Sequence, residues 1–161
     1  MKHQEILSNV LKPFICGIMI SCLCLCSAPI YSNAAGSTYG AKKYATINGV
    51  SFTMQNSLYT GREGNDNHKY GRAYTDVEAS INLQGGFLGT TPVLYYSSGT
   101  IAKWGATTYT SGYSAGIATY AEMTYFTNSP TFYSHGYVEI WDGYDYQDFR
   151  PYKTANLNNY T

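Results

Sequence analysis

The chain reads as all-β: an antiparallel β-sandwich, or a partly open barrel, of about eight strands behind an N-terminal signal peptide. Three observations lead there. Apolar and polar residues alternate with a period of two across "RAYTDVEASINLQ", where a helix would space the apolar ones three and four apart. Turn dipeptides recur between such stretches, at Asn48-Gly49, Ser98-Gly99 and Asp142-Gly143. The composition holds 18 tyrosines in 161 residues, with many Thr, Ser, Gly and Asn, residues that suit pleated surfaces and turns.

The opening segment stands outside that pattern. Lys2 and Lys12 flank the start, Phe14 to Leu25 is free of charge, and "SAP" is followed by small residues at "SNAAG". A basic start, an apolar middle and a small-residue end are the order of a secretory signal peptide. It is expected over residues 1–34, with cleavage after Ala34 or Ala35 and a single β-sandwich domain over 35–161. The apolar run is about a dozen residues against the roughly 20 that span a bilayer, so the mature protein is expected to lack a transmembrane segment. Cys16, Cys22, Cys24 and Cys26 all fall inside this segment, leaving the mature chain without disulfide, thiolate nucleophile or thiolate ligand. "MISC", ending at Cys22, resembles a lipobox, which makes lipidation of Cys22 the alternative fate.

Roughly 126 residues remain, enough for one domain with a real core. Eight Lys and Arg (ten less Lys2 and Lys12) face nine Asp and Glu (ten less Glu5). No basic stripe offers nucleic acid an electrostatic handle.

The elements follow in order. Turning about Asn48-Gly49 pairs Ile47 with Val50, Ala45 with Phe52 and Lys43 with Met54, so turn chemistry and apolar pattern choose one register. "TGREGNDNHKYG" reads as the longest polar loop. From Arg72 to Gln84 the inward face is Ala73, Thr75, Val77, Ala79, Ile81 and Leu83. "VLYYSSGTIAKW" is a hairpin about Ser98-Gly99, and "TYTSGYSAG" a loop or strand edge. "AGIATYAEMTYFT" and "PTFYSHGYVEIW" are two strands parted by Asn128-Ser129-Pro130, and "KTANLNNYT" is a tail or a last edge strand.

The candidate site lies on the last hairpin. A turn at Asp142-Gly143 sets Trp141 opposite Tyr144, Glu139 opposite Tyr146, Tyr137 opposite Asp148 and His135 opposite Arg150. Val138, Ile140 and Phe149 then take the core face. Tyr137, Glu139, Trp141, Tyr144, Tyr146 and Asp148 take the other, an aromatic and ionic surface suited to sugar rings or a protein partner. The bland reading is that cross-strand aromatic pairs merely stabilise a hairpin, by roughly 0.2–1 kcal/mol each.

Other chemistries fit less well. Glu139 and Asp148 would be diagonal neighbours roughly 7–8 Å apart, within the separations of about 5–9.5 Å that glycosidases use. A bare strand face, however, has no cleft to raise one pKa, and Arg150 beside them would lower both. Asp142, Asp145 and Asp148 recur every third residue, where a calcium loop brings ligands at every second. The loop residues Glu63, Asn65, Asp66 and Asn67 are a fairer calcium set, though such residues are commonly turn formers. His68 and His135 are too few and too far apart for zinc. Ser134 and His135, adjacent on a strand, point to opposite faces. No catalytic residue, metal or cofactor is expected.

"GGFLGTTPVLYYSSGT" and "SPTFYSHGYVEIWDGYDYQDFRPYKTANLN" resemble a loose group of small exported β-proteins of Gram-positive bacteria, over the half of the chain from Gly85 onward. Being small, exported and rich in Tyr, Ser and Gly, the chain is also faintly similar to lactococcin 972-type bacteriocins. These likenesses imply export and β architecture and carry over no catalytic residue. The expected function is a non-catalytic extracellular β-domain that binds cell-wall glycan or a surface protein, with a secreted antimicrobial or toxin as the alternative. Tyr-rich edge strands leave room for self-association.

Overall fold

The computed structural model describes residues 34–63, 68–125 and 130–158. The signal peptide, the Cys22 lipobox and the calcium candidates Asn65, Asp66 and Asn67 lie outside the described residues.

The described residues are all-β, with thirteen strands and no helix among them. One layer is a sheet built on three long strands: β1 (Ala34–Tyr39), β3 (Val50–Glu63), β4 (His68–Leu83) and β9 (Ser114–Tyr125) in that order, with β1 short and β2 (Lys43–Ile47) also on β3. Every pairing is antiparallel. The expected first hairpin forms in the expected register, Lys43 opposite Met54 and Ile47 opposite Val50. Asn48 and Gly49 sit at φ 51° and 80°, the positive values that this two-residue turn demands.

Facing it are two short sheets. One runs β12 (Tyr146–Phe149), β11 (Tyr137–Trp141), β5 (Leu88–Thr91), β8 (Thr108–Tyr109). The other runs β13 (Leu157–Asn158), β10 (Thr131–Ser134), β6 (Val93–Tyr96), β7 (Ile101–Trp104). These are one sheet cut across its middle. Thr91 opposes Tyr137 on one side of the cut and Leu94 opposes Ser134 on the other, so a single register passes through it. The cut falls at Pro92, which has no N–H for a ladder, and at His135-Gly136. The stretch "PTFYSHGYVEIW", expected as one strand, is therefore two, and the count exceeds eight because such breaks split long strands.

The two layers meet in two apolar clusters, one at each side of the cut. Phe52, Met54, Val77 and Ala79 pack on Leu88, Val138 and Ile140. Leu58 and Ala73 pack on Leu94 and Phe132. Gly71 leaves room for the second cluster, since a Cβ there would stand 2.8 Å from the Phe132 ring. Burying side chains of this size contributes about 1.5–3 kcal/mol each.

Between the clusters sits a polar pair from the long sheet. Asn56 and Thr75 are fully buried and opposite one another. Thr75 Oγ1 donates to Asn56 Oδ1 at 2.8 Å, and the same oxygen accepts the Gly136 N–H at 3.0 Å. Asn56 Nδ2 donates to the carbonyls of Pro151 and Tyr152 at 3.0 and 3.2 Å. One amide thus satisfies backbone groups that the broken ladder leaves over.

Three expectations are corrected. Ile81 is 52% exposed rather than inward, because β4 loses its regular pairing with β9 between Glu78 and Leu83. The polar loop is shorter than expected, since β3 runs to Glu63 and β4 begins at His68. The last hairpin turns one residue later, with Gly143 (φ 105°) and Tyr144 at its centre and Asp142 N–H donating to Asp145 O at 3.0 Å. Glycine, free to take positive φ, sits first in the turn, and the register moves by two residues.

Candidate functional site

A shift of two residues preserves which face each side chain takes. Val138 and Ile140 are fully buried, while Tyr137, Glu139, Trp141 and Tyr146 are half-buried on the outer face. The partners change: Trp141 opposes Tyr146, and Glu139 opposes Asp148 directly instead of diagonally. Tyr144, expected opposite Trp141, stands at the tip of the turn and is 93% exposed. Asp148 is exposed.

The face gathers around Tyr146. Its ring meets Trp141 edge-on at 5.1 Å and Tyr109 of β8 at 5.2 Å, and its hydroxyl donates to Gly86 O at 2.7 Å. Tyr109 lies over Gly89, where a Cβ would come within 2.6 Å of the ring, so only glycine admits it. The Tyr109 hydroxyl donates to Glu139 Oε2. That bond to a carboxylate, with some burial, pushes the phenol up to about 12.

A second group lies nearer the cut. Tyr137 stacks with Trp104 of β7 at 5.8 Å, and the Arg150 guanidinium sits 4.7 Å from the Tyr137 ring centre. Arg150 Nη2 also donates to the Tyr95 hydroxyl at 3.0 Å, so this cation is spent on aromatic neighbours, which corrects the expectation that it stands beside the carboxylate pair. Tyr95 stacks on Tyr133 at 5.0 Å, with His135 6.5 Å away. His135 does not oppose Arg150, because the shifted register carries the position of Arg150 to Tyr137, over whose ring its guanidinium sits. Burial and the nearby charges of Arg150 and Lys153 lower the imidazole to about 4.

The aspartates of the turn serve the backbone. Asp142 Oδ1 accepts the N–H groups of Asp145 and Tyr144 at 2.9 and 2.8 Å, and Oδ2 accepts Gln147 Nε2 at 2.8 Å. Those bonds hold its carboxyl below the usual range. Asp145 Oδ1 accepts the Tyr146 N–H at 2.8 Å.

Trp104, Tyr95, Tyr133 and Tyr109 were not among the residues singled out from sequence. Trp104 and Tyr95 lie on strands from other parts of the chain, Tyr133 lies on β10 across the break from β11, and Tyr109 lay in a stretch read as a loop or strand edge. The one local signal was Gly89, a glycine inside a strand, which marks close approach of a neighbour.

The opposite face of the sandwich carries a second aromatic array. Tyr39, Tyr59, Tyr74 and Tyr120 form a row across four adjacent strands, with ring centres 6.0, 5.4 and 5.3 Å apart. The hydroxyls of Tyr39 and Tyr59 meet at 2.7 Å, and burial with this bond pushes Tyr59 up to about 12. Arg72, ion-paired with Glu122, sits 5.0 Å from the Tyr120 ring centre.

No protein-family model and no curated protein matches the chain.

Proposed function

We propose that the protein is a secreted, non-catalytic binding module whose outer face around Tyr109, Tyr137, Glu139, Trp141, Tyr146 and Asp148 engages cell-envelope material, a glycan or a surface protein. The observation that carries this reading is the gathering of half-buried and exposed rings from separate strands onto one face, beside carboxylates and the Arg150 cation. Rings fixed by edge contacts lose little entropy on binding and still offer flat apolar area. Tyr144, bare at the turn, extends the surface.

The carboxylates support binding over hydrolysis. Glu139 and Asp148 face each other on an open strand surface, and Glu139 is already taken by the Tyr109 hydroxyl. Acid–base catalysis would need a walled site that sets two carboxyl pKa values apart.

The test is retention on cell-wall material by wild type and Trp141→Ala. Loss of an aromatic anchor at the centre of an interface costs about 2 kcal/mol or more, so the variant should wash off at far lower stringency while unfolding with an unchanged cooperative transition. Equal retention of the two proteins removes this reading. Killing of neighbouring bacteria by the purified protein, undiminished by Trp141→Ala, would favour the antimicrobial alternative.

A further inference from the structure

The side of the sandwich bordered by β9 has an open edge. β9 pairs with β4 along one side, and among the described residues no strand pairs with the other. Among the described residues, none of the turn and loop backbone bonds uses an amide or carbonyl between Ile117 and Thr124. Twelve residues is long for an edge strand, and such a row of unpaired groups is a template for another chain.

The devices that blunt natural edges are missing from it. "SAGIATYAEMTY" holds no lysine, arginine or proline. Its one charge, Glu122, is ion-paired with Arg72 of β4 within the same sheet. Apolar surface is concentrated on this side as well. Apart from residues of the face around Trp141, the exposed large hydrophobic side chains here are Tyr120 on β9, Tyr113 just before it and Ile101 on β7. The formal net charge is zero for the whole chain and −1 for residues 35–161 (eight Lys and Arg against nine Asp and Glu), so two copies repel little at long range.

We propose that β9 pairs antiparallel with β9 of a second copy about a twofold axis near Tyr120, fusing two long sheets into one. An antiparallel strand pair is self-complementary, so one surface suffices for both partners and the assembly closes as a dimer. The tyrosine row gives the register. It crosses the whole sheet and stops at Tyr120, which is 55% exposed on the terminal strand. In the dimer the row of one copy continues into that of the other, with the two Tyr120 rings adjacent. This interface is separate from the binding face around Trp141, and neither inference depends on the other.

Sedimentation across a wide concentration range tests it, with Tyr120→Glu as the first variant. Within one copy the new carboxylate faces the Arg72 guanidinium, which preserves the monomer. Across the twofold axis it meets its own copy, and like charges directly opposite destabilise a strand pair. The wild type should sediment as a concentration-dependent dimer, and Tyr120→Glu should raise the dissociation constant about tenfold or more. Ala118→Pro and Thr119→Pro form the second arm, because neighbouring N–H groups on a strand point to opposite sides. One of the two removes only an open-edge donor and should give a folded monomer. A wild type that stays monomeric throughout, a dimer that Tyr120→Glu and the folded proline variant leave intact, or open-ended growth beyond the dimer would each overturn the proposal.

Discussion

The two layers of this sandwich solve the same problem in different ways. In the long sheet the β3–β4 ladder is continuous, and the inner face of β3 alternates without interruption from Phe52 through Met54, Asn56 and Leu58 to Thr60, all buried. In the facing layer the ladder stops at Pro92 and Gly136, and a side chain from the other layer, Asn56, takes over the hydrogen bonds. The contrast shows where stability is concentrated. The long sheet distributes it over many ladder bonds, whereas the broken layer depends on a few polar contacts in its middle. A lost contact there leaves buried donors and acceptors unmade, which costs more than the net worth of the bond.

The largest effect should come from filling the cut. A Cβ on Gly136 would stand 2.0 Å from Thr75 Oγ1 and 2.5 Å from Thr91 O, with backbone on one side and the Asn56 cluster on the other. Neither can yield cheaply. Gly136→Ala is expected to cost about 3 kcal/mol or more, at or beyond the upper end for overpacking. Gly112 is the comparison, since a Cβ there meets nothing within 4 Å, and Gly112→Ala should fall within about 0.5 kcal/mol of wild type. Urea midpoints would compare them. Similar losses at both positions would show that the cut is not a point of concentrated stability.

A smaller and sharper comparison sets two buried threonines on the long sheet side by side. Thr75 Oγ1 donates to Asn56, while Thr60 Oγ1 is buried without a hydrogen-bond partner. Thr75→Val should cost about 1–2 kcal/mol, because the Asn56 oxygen loses a donor inside the protein. Thr60→Val removes a hydroxyl that satisfies nothing, and should be neutral or stabilising by up to about 1 kcal/mol. The difference should appear in the denaturation midpoint at unchanged slope. Equal effects would mean that the two hydroxyls are not distinguished by partnership.

What could be read in advance divides along the same line. Period-two alternation placed Ala73, Thr75, Val77 and Ala79 inward, and the Asn48-Gly49 turn set its register, because both signals are local and agree. Val138 and Ile140 were placed inside for the same reason. The cut was not legible. "PTFYSHGYVEIW" alternates straight through His135-Gly136, and what accompanies the break lies elsewhere in the chain: Pro92 on the neighbouring strand, and Asn56, some 80 residues earlier, which accepts the Gly136 N–H. The turn at Asp142 misled because Asp-Gly fits one hairpin type and a leading glycine fits another, and the carboxylate of Asp142 decides between them by capping Tyr144 and Asp145. Of the candidate site, the face of every residue on β11 and β12 was recovered. The contributions of Tyr109, Trp104 and Tyr95 depended on which distant strands become neighbours.

The smallest effect separates the layers by pH. His135, at the cut, has its imidazole lowered to about 4 by burial and by the Arg150 and Lys153 charges, against about 6.5 in an unfolded chain. Between those values the unfolded state binds a proton that the folded state does not. Stability therefore falls as pH drops from about 6.5 toward about 4, and is flat with respect to this group above that window. His135 is half-buried rather than fully buried, so solvent screening limits the effect to about 1 kcal/mol. Asp142, whose carboxyl is held below the usual range by backbone bonds, loses its stabilising charge only at lower pH, which keeps the two groups apart. His135→Gln should flatten the slope of urea stability between pH 7 and 4.5 while leaving its value at pH 7 nearly unchanged. If wild type and His135→Gln lose stability in parallel across that interval, the acid sensitivity belongs to carboxylates elsewhere and not to the break in the second layer.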